Sequence, residues 1–322
     1  MERSSYLPQG TDPGGLYTML AMDLFRIENE RTGTSPGIVT LWLEQEGKSV
    51  VVLDHDLIQK LERTLKSLPS NAEGLVLASA APRAFVAGAD LQAIADLDND
   101  RLGKYLQYAS GVFAMLCELP YPTAAAIHSA VLGGGLELAM HCDGLIGCPP
   151  ADRDGKPGRP YPVGLPEAGL SICPGWGGTN LLPARIDPAN AIHQTAIGKP
   201  MNFDEAKQAG LFDVVADSRD TLIDTARTWI RNQKRPINRS GIPSRWIGCP
   251  DVASKVLESL DSIRSDLTQA PGIAVCDAID TGLAKGWKSA IAVEQDHLVR
   301  LRNEPAGKQA IEAFFARSAK KA

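Results

Sequence analysis

The stretch that decides the fold reads VLGGGLELAMHCDGLIG (131–147) and, after a Pro- and Arg-rich insert, LPEAGLSICPGWGGTNLLPAR (165–185). Three consecutive glycines, 133–135, follow an apolar run of strand length, 122–127, and lead into the helix-forming residues 136–140. Glycine at a strand-to-helix junction leaves backbone N–H groups unshielded, and the helix N-terminus adds partial positive charge there. This junction therefore predicts a place where a developing oxyanion is stabilised.

Two glutamates accompany the glycines. Glu137 lies in the first turn of the predicted helix, and Glu167 precedes a second Gly-rich turn, 174–178. Triple glycine is also common in flexible loops, and a glutamate early in a helix is usually a solvent-facing partner of the helix dipole. The local pattern alone leaves a catalytic and a purely structural interpretation open.

A second strand-to-helix corner lies upstream. Residues 74–79 have the composition of a buried strand, and the small-residue sequence AFVAGADL (84–91) follows, in which Asp90 can cap a helix running through Ile94. An oxyanion site needs two N–H donors that converge on one oxygen. Two such corners from neighbouring strands would supply them.

Composition excludes several classes of function. The chain has 322 residues, 44% hydrophobic and 22% charged, as in ordinary globular proteins. A net charge of −5 and a pI of about 5.6 give no bulk attraction to nucleic acid or anionic lipid. We expect no membrane span, because no apolar run is long enough. Six scattered cysteines without a CxxC pair, and an N-terminus without a signal-type apolar core, favour a cytoplasmic location.

Alternating strand and helix patterns with short connections predict an α/β fold with crossover units. Asp54 is expected to cap a helix whose apolar positions run from Leu57 to Leu68. We predict an irregular N-terminal extension over 1–36, a catalytic core over 37–235 and a helical C-terminal region over 236–322. The Pro/Arg segment beginning at residue 235 is expected to link the last two.

The motifs AFVAGADL, PTAAAI, VLGGGLELAMHCD, LPEAGL and PGWGGT, in this order, resemble those of the crotonase superfamily of acyl-CoA enzymes, and the enoyl-CoA hydratases most closely. The resemblance covers roughly residues 37–230 and implies a spiral of repeated ββα units. It also implies that the backbone N–H groups of Ala89 and Gly134 hold the carbonyl oxygen of a thioester. Charge that develops on that oxygen as an enolate would be stabilised there.

The resemblance also assigns roles to residues around this oxyanion hole. Glu137 and Glu167 would hold one water over the substrate double bond, and the N–H of Gly175 would touch the same water. Two neighbouring carboxyl groups cannot both ionise easily, which separates them into acid and base roles. Arg83, Ala87 and Asp90 would belong to the substrate and coenzyme A site.

Retention of both glutamates favours syn addition of water across the 2-trans double bond of an enoyl-CoA in fatty-acid β-oxidation. A Δ3-Δ2-enoyl-CoA isomerase, which needs one base, and a catalytically silent acyl-CoA-binding or assembly subunit stay open as alternatives. The resemblance implies no cofactor or metal, because coenzyme A is part of the substrate. It also suggests a homo-oligomer, or a partner in a β-oxidation complex.

The C-terminal region and three departures from the family pattern carry further expectations. Residues 271–322 resemble the helices after the hydratase domain of multifunctional fatty-acid oxidation α-subunits; a generic amphipathic helical cap is the alternative. His128 and His141 are unusual for the family and would either modify the acid–base system or simply pack. The insert 148–163, rich in Pro, Gly and charge, is expected to be an exposed loop.

Overall fold

The computed structural model describes residues 24–30, 37–152, 156, 158–234 and 239–319. Within these ranges the strands form two sheets. The larger sheet contains Arg26–Asn29 (β1), Ile38–Leu43 (β2), Gly74–Ser79 (β3), Thr123–Ile127 (β5), Gly144–Gly147 (β7) and Val214–Val215 (β10), in the spatial order β1-β2-β3-β5-β7-β10. The smaller sheet contains Ala84–Val86 (β4), Ala130–Leu132 (β6), Pro162–Gly164 (β8) and Met201–Asn202 (β9), in the order β4-β6-β8-β9.

Twelve helices surround the sheets in the described part of the chain. Those of the core are His55–Ser67 (α1), Leu91–Asp96 (α2), Asn99–Leu116 (α3), Gly134–Met140 (α4), Gly178–Leu181 (α5), Pro188–Ile197 (α6), Phe203–Gln208 (α7) and Leu222–Arg231 (α8). The C-terminal helices are Pro250–Ile263 (α9), Ala270–Lys285 (α10), Trp287–Leu301 (α11) and Pro305–Ala319 (α12). Short 3₁₀ turns occupy Glu167–Leu170, Leu182–Ala184 and Arg264–Asp266.

Consecutive strands alternate between the two sheets, and this alternation makes the spiral of ββα units. β3 is followed by β4, β5 by β6 and β7 by β8, with the first of each pair in the larger sheet. β4, β6 and β8 run parallel, so their carboxyl ends meet at one edge of the smaller sheet. The predicted α/β fold is confirmed, and both Gly-containing corners lie at this edge.

The core follows from how the larger sheet is covered. All six residues of β3 are buried, as expected for a parallel strand packed on both faces. On one face Val76 and Ala124 pack with Ala226 and Ile230 of α8. Both predicted helix caps are confirmed: the Asp54 carboxylate accepts from the Leu57 N–H, and Asp90 accepts from the N–H groups that open α2.

The prediction of an irregular N-terminal extension is wrong for Arg26–Asn29. This segment is β1, an edge strand paired antiparallel with β2, and the Arg26 guanidinium stacks over the Trp42 ring. The segment lacks an apolar run because three of its four residues are exposed, so composition gave no strand signal. Residues 1–23 and 31–36 of that prediction lie outside the described residues.

The C-terminal helices fold back over the core. α12 packs on the Glu167–Leu170 turn and on α2, and α11 packs on α3 and α5. Buried Arg302 ties this region down by donating to the Ile94 carbonyl at 2.6 Å and to Asn99 Oδ1 at 2.8 Å. The helical character of the region is as predicted, and the domain boundaries stay predictions.

The linker and the insert contact the core more closely than their composition suggests. Residues 235–238 are outside the described ranges, but Arg239, just after them, pairs with Asp143 at 2.7 Å. Tyr161 and Val163, at the end of the insert, are buried, and the Tyr161 hydroxyl donates to the Cys148 carbonyl at 2.8 Å. The exposed-loop prediction is therefore wrong for this end of the insert, because the chain is already entering β8.

None of the helices in the described ranges is long and apolar enough to cross a membrane.

Candidate active site

A cavity of about 340 Å³ opens at the carboxyl ends of β4 and β6. It is lined by all five residues predicted to act on the substrate, and by Ala87. Those five are Ala89, Gly134, Glu137, Glu167 and Gly175. Most of the remaining wall is apolar and comes from several elements: Leu91, Ile94, Leu106, Leu132, Leu170, Ile172, Leu298 and Phe314.

The loop after β4 presents the first amide. The Ala87 N–H donates to the Val51 carbonyl at 2.8 Å, and the Leu53 N–H donates to the Gly88 carbonyl at 2.9 Å. Gly88 has φ of +122°, which a side chain would rarely allow and which turns the chain between these two bonds. Among the described residues, no acceptor takes a hydrogen bond from the N–H of Ala89.

The N-terminus of α4 presents the second amide. Gly133 has φ of +53° and its N–H donates to the Gly164 carbonyl, which anchors the start of the helix to β8. A Cβ on Gly134 would lie 2.3 Å from the Trp176 ring, so only glycine fits this close approach. In the part of the chain that is described, the Gly134 N–H has no protein acceptor. Two unused amides thus line one cavity, as an oxyanion site requires.

Glu137 is held by the turn before α5 and by the first residue of that helix. It is 1% exposed, and its Oε1 accepts from the N–H groups of Trp176 and Gly178, each at 2.8 Å. The Trp176 indole N–H donates to the Leu106 carbonyl at 3.0 Å and fixes this turn against α3. The carboxyl of Glu137 is therefore pinned through one oxygen.

Glu167 is the first residue of the 3₁₀ turn after Pro166. Its Oε2 is buried and has no hydrogen-bond partner among the described residues. A Cβ on Gly133 would lie 2.5 Å from Glu167 Oε1, so the missing side chain lets the carboxyl approach the start of α4. Unlike Glu137 Oε1, the Oε2 of Glu167 is held by no amide of the described residues.

We expect the replacement Gly133→Ala to destabilise the protein by about 1–3 kcal/mol, because it forces a side chain into a positive-φ conformation. It should also push the Glu167 carboxyl away and lower turnover. Denaturant unfolding and an enoyl-CoA assay measure the two effects. Gly111→Ala is the matched control: Gly111 lies inside α3 with open space where the added methyl group would lie, and alanine favours the helix. Equal stability of the two variants would contradict the prediction.

Three buried carboxyl groups meet beside the cavity. Burial raises the pKa of Glu137 well above its ordinary value, and the charges of Glu294 and Glu167 raise it further. Burial also raises the pKa of Glu167 to about 8, with a further contribution from Glu294. The pKa of Glu294 itself is raised by burial to about 7. Carboxyl groups this close titrate as a coupled set.

Glu294 was missed by the sequence analysis because it belongs to no motif near the glycine loops. A signal for it exists in the pattern of α11. Ile291, Leu298 and Leu301 lie three, four and seven residues away, so Glu294 is on the apolar face of the helix, and its exposure is 0%. A charged residue at such a position is buried, and it needs partners.

The two unusual histidines pack and do not line the cavity. His128 contacts the Ala81 carbonyl through Nε2 at 2.9 Å, and burial lowers its pKa to about 4. His141 contacts the backbone carbonyl of Glu137 through Nδ1 at 2.8 Å and stacks edge-on with Phe113, and burial lowers its pKa to about 4 as well. Both rings are therefore neutral near pH 7.

The residues predicted for coenzyme A are less closely grouped. Ala87 lines the cavity, whereas Arg83 is exposed and is not among the lining residues. The carboxylate of Asp90 is occupied in capping α2. The role of these three residues in coenzyme A binding stays a prediction.

The alternation of strands between two sheets, with the cavity at their carboxyl ends, defines a crotonase-fold α/β protein. Solved enoyl-CoA hydratases share it. The structure from Bacillus halodurans has a TM-score of 0.60 at 16% identity, covering 89% of this chain and 99% of that one. The structure from Bacillus anthracis has a TM-score of 0.52 at 23% identity, covering 90% of this chain and 96% of that one. The structure from Mycobacterium avium subsp. paratuberculosis has a TM-score of 0.57 at 16% identity, covering 91% of this chain and 97% of that one.

At these identities the likeness concerns the fold. The sequence profile described as "Enoyl-CoA hydratase/isomerase" matches residues 37–240. The chain belongs to this family, and the predicted membership of the crotonase superfamily is confirmed. The closer resemblance to multifunctional α-subunits stays a prediction.

Proposed function

We propose that the protein is an enoyl-CoA hydratase that adds water across the 2-trans double bond of an acyl thioester. The observation that carries the proposal is that one apolar cavity is lined by Glu137 and Glu167 together with Ala89 and Gly134, whose amides are free. Membership of the enoyl-CoA hydratase/isomerase family supports an acyl-CoA substrate. An isomerase needs one base to move a proton between carbons, so the presence of two acids in the cavity favours hydration.

The two amides act on the thioester carbonyl. As water adds to the β-carbon, negative charge moves to the carbonyl oxygen and the substrate becomes an enolate. The N–H groups of Ala89 and Gly134 donate to that oxygen, and the positive end of α4 adds to the field. Because the charge is larger in the transition state than in the substrate, these donors lower the barrier.

The two acids divide the proton transfers between them. Burial and the charges of Glu294 and Glu167 raise the pKa of Glu137, whereas the two amide donors on Oε1 lower it and stabilise the carboxylate. We assign Glu137 the base that takes a proton from the attacking water, because it is the carboxyl group with these donors. Glu167 has no described donor on its buried Oε2, which favours its neutral form, so it gives its proton to the α-carbon. Hydroxide and a proton are thereby added, and a proton passing from Glu137 to Glu167 restores the pair. The Gly175 N–H is proposed to orient the water.

The apolar wall suits a fatty acyl chain. Leu298 of α11 and Phe314 of α12 line the cavity, so the C-terminal region forms part of the proposed acyl site. Substrates of fatty-acid β-oxidation fit this lining, and coenzyme A enters as part of the substrate with no further cofactor. Assembly as a homo-oligomer or within a β-oxidation complex remains part of the proposal.

A substrate assay separates the three candidate activities. Purified protein is mixed with crotonyl-CoA, and loss of the conjugated absorbance is followed together with the mass of the product. Gain of one water supports the hydratase. Conversion of a 3-enoyl-CoA to the 2-enoyl isomer without hydration would indicate an isomerase. Binding of both thioesters without any conversion would indicate a silent subunit and would refute the proposal.

We expect the hydration rate to fall above about pH 8, because the raised pKa of Glu167 marks the loss of its proton. At low pH the rate should fall again as the base becomes protonated. The measurement is kcat against pH, with circular dichroism at each point to show that the protein stays folded. A rate that continues to rise beyond this region would mean that no acid of raised pKa takes part.

A further inference from the structure

Residues 176–179, which comprise the turn before α5 and the first residues of that helix, are held by two carboxyl groups that accept from alternate amides. The N–H groups of Trp176 and Gly178 donate to Glu137, whereas the Gly177 N–H donates to Glu294 Oε2 at 2.6 Å and the Thr179 N–H donates to Glu294 Oε1 at 2.9 Å. The Thr179 hydroxyl also donates to Glu294 Oε1. The same four-residue stretch thus links a cavity glutamate to a glutamate of the C-terminal region.

Glu294 is not among the residues that line the cavity, so we give it no contact with the substrate in the proposed reaction. Its neighbour Gln295 reinforces the link, because Gln295 Nε2 donates to the Gly175 carbonyl at 3.2 Å and to Ser110 Oγ at 2.8 Å. Two successive side chains of α11 therefore fix the turn that presents Gly175 and the amides bound to Glu137. Movement of α11 would therefore displace both Gly175 and the amides that donate to Glu137.

We propose that Glu294 is a positioning residue, which sets the place and the charge of Glu137 by holding alternate amides of the turn between them. This inference rests on the proposed hydratase function for its catalytic meaning, while the geometry of the turn stands without it. The negative charge of Glu294 faces the other two acids in a dry environment, where like charges oppose each other's ionisation.

The titratable groups around Glu294 come from several elements. α4 contributes Glu137, the 3₁₀ turn contributes Glu167, and the loop before α5 contributes Cys173, whose thiol pKa is raised by burial and by all three carboxylates. The positive charge of Arg300, further along α11, lowers the pKa of the Cys173 thiol. From α10, Asp277 pairs with His297 of α11 at the exposed side of the helix.

Two substitutions separate charge from geometry. Glu294→Gln removes the charge and leaves one backbone amide of the turn without a good acceptor. We expect it to lower the titration midpoints of the remaining buried glutamates by on the order of one pH unit. Glu294→Asp keeps the charge but withdraws the oxygens from the turn. We expect it to lower kcat by roughly 10- to 100-fold with little change in KM or in those midpoints.

The titration is read by NMR on protein with isotope-labelled glutamate side chains, so it does not depend on turnover. The pH profile of hydration is the second readout, and its alkaline limb should shift with the midpoints in Glu294→Gln. Glu312→Gln, an exposed position on α12, is the control and should match the wild-type protein in both.

Unchanged midpoints in folded Glu294→Gln would overturn the inference, and so would wild-type kcat in Glu294→Asp. If the glutamine variant does not fold, the aspartate variant alone decides. Absence of hydration by the wild-type protein would instead refute the proposed function, and the NMR titration would then decide the place of Glu294 in the cluster by itself.

Discussion

Glu167→Gln is expected to lower the rate of crotonyl-CoA hydration by roughly 10²–10⁴-fold, the usual contribution of a general acid. Glutamine has nearly the shape of the glutamate but cannot give a proton to the α-carbon. The Oε2 of Glu167 has no described partner, so the substitution breaks no protein hydrogen bond at that atom. The loss should therefore appear in kcat, with binding of a saturated acyl-CoA retained.

The same variant should gain stability relative to the wild-type protein as pH rises. The pKa of Glu167 is raised from 4.5 in the unfolded chain to about 8 in the fold. A group whose pKa is raised by folding contributes its full stabilisation at pH values below its unfolded pKa. That contribution is lost as pH rises through the folded pKa. The difference in Tm between variant and wild type should thus move in favour of the variant from about pH 4.5 to about pH 8.

Glu312→Gln, with the same chemical change on an exposed helix face, serves as the control for both measurements. It should retain wild-type turnover, and its Tm should follow the wild-type pH dependence. Hydration by Glu167→Gln at close to the wild-type rate would remove Glu167 from the chemistry. A pH-independent Tm difference would show that its carboxyl is not kept neutral by the fold.

The sequence was informative where local chemistry determines local structure. Asp54 and Asp90 are helix caps because a short acidic side chain before a helical pattern satisfies free N–H groups, and both caps form. The glycines at 133–135 predicted a strand-to-helix corner, and α4 begins at Gly134. In each case the residues that decide the structure are adjacent in the chain.

Contacts between distant parts of the chain were not predicted. Glu294 meets the Gly177 amide across 117 residues, and no local pattern specifies that partner. β1 forms because β2 offers a free edge, which depends on the assembled sheet. The same holds for α12, whose Phe314 reaches the cavity only after the helical region has folded back. The motifs therefore predict the two catalytic candidates, but no motif predicts the contacts of Glu294 with the turn that holds Glu137.

Glu137→Gln is expected to separate hydration from isomerisation. The side-chain oxygen of glutamine can still accept from the Trp176 and Gly178 amides, so the turn before α5 should keep its place. The amide cannot, however, take a proton from water, and hydration should fall by roughly 10²–10⁴-fold. Moving a proton between the α- and γ-carbons needs one base. The ionised form of Glu167, whose population grows as pH rises toward its raised pKa of about 8, can serve as that base.

Any isomerase activity of the wild-type protein on a 3-enoyl-CoA should consequently survive in Glu137→Gln and disappear in Glu167→Gln. Both conversions are measured on the same preparations by separating the thioester products, and acyl-CoA affinity is checked with a saturated analogue. Loss of both activities in both variants would mean that the two acids work only as a pair. Hydration that persists in Glu137→Gln would assign the base to another group, because a glutamine at this position cannot accept the proton that water must lose.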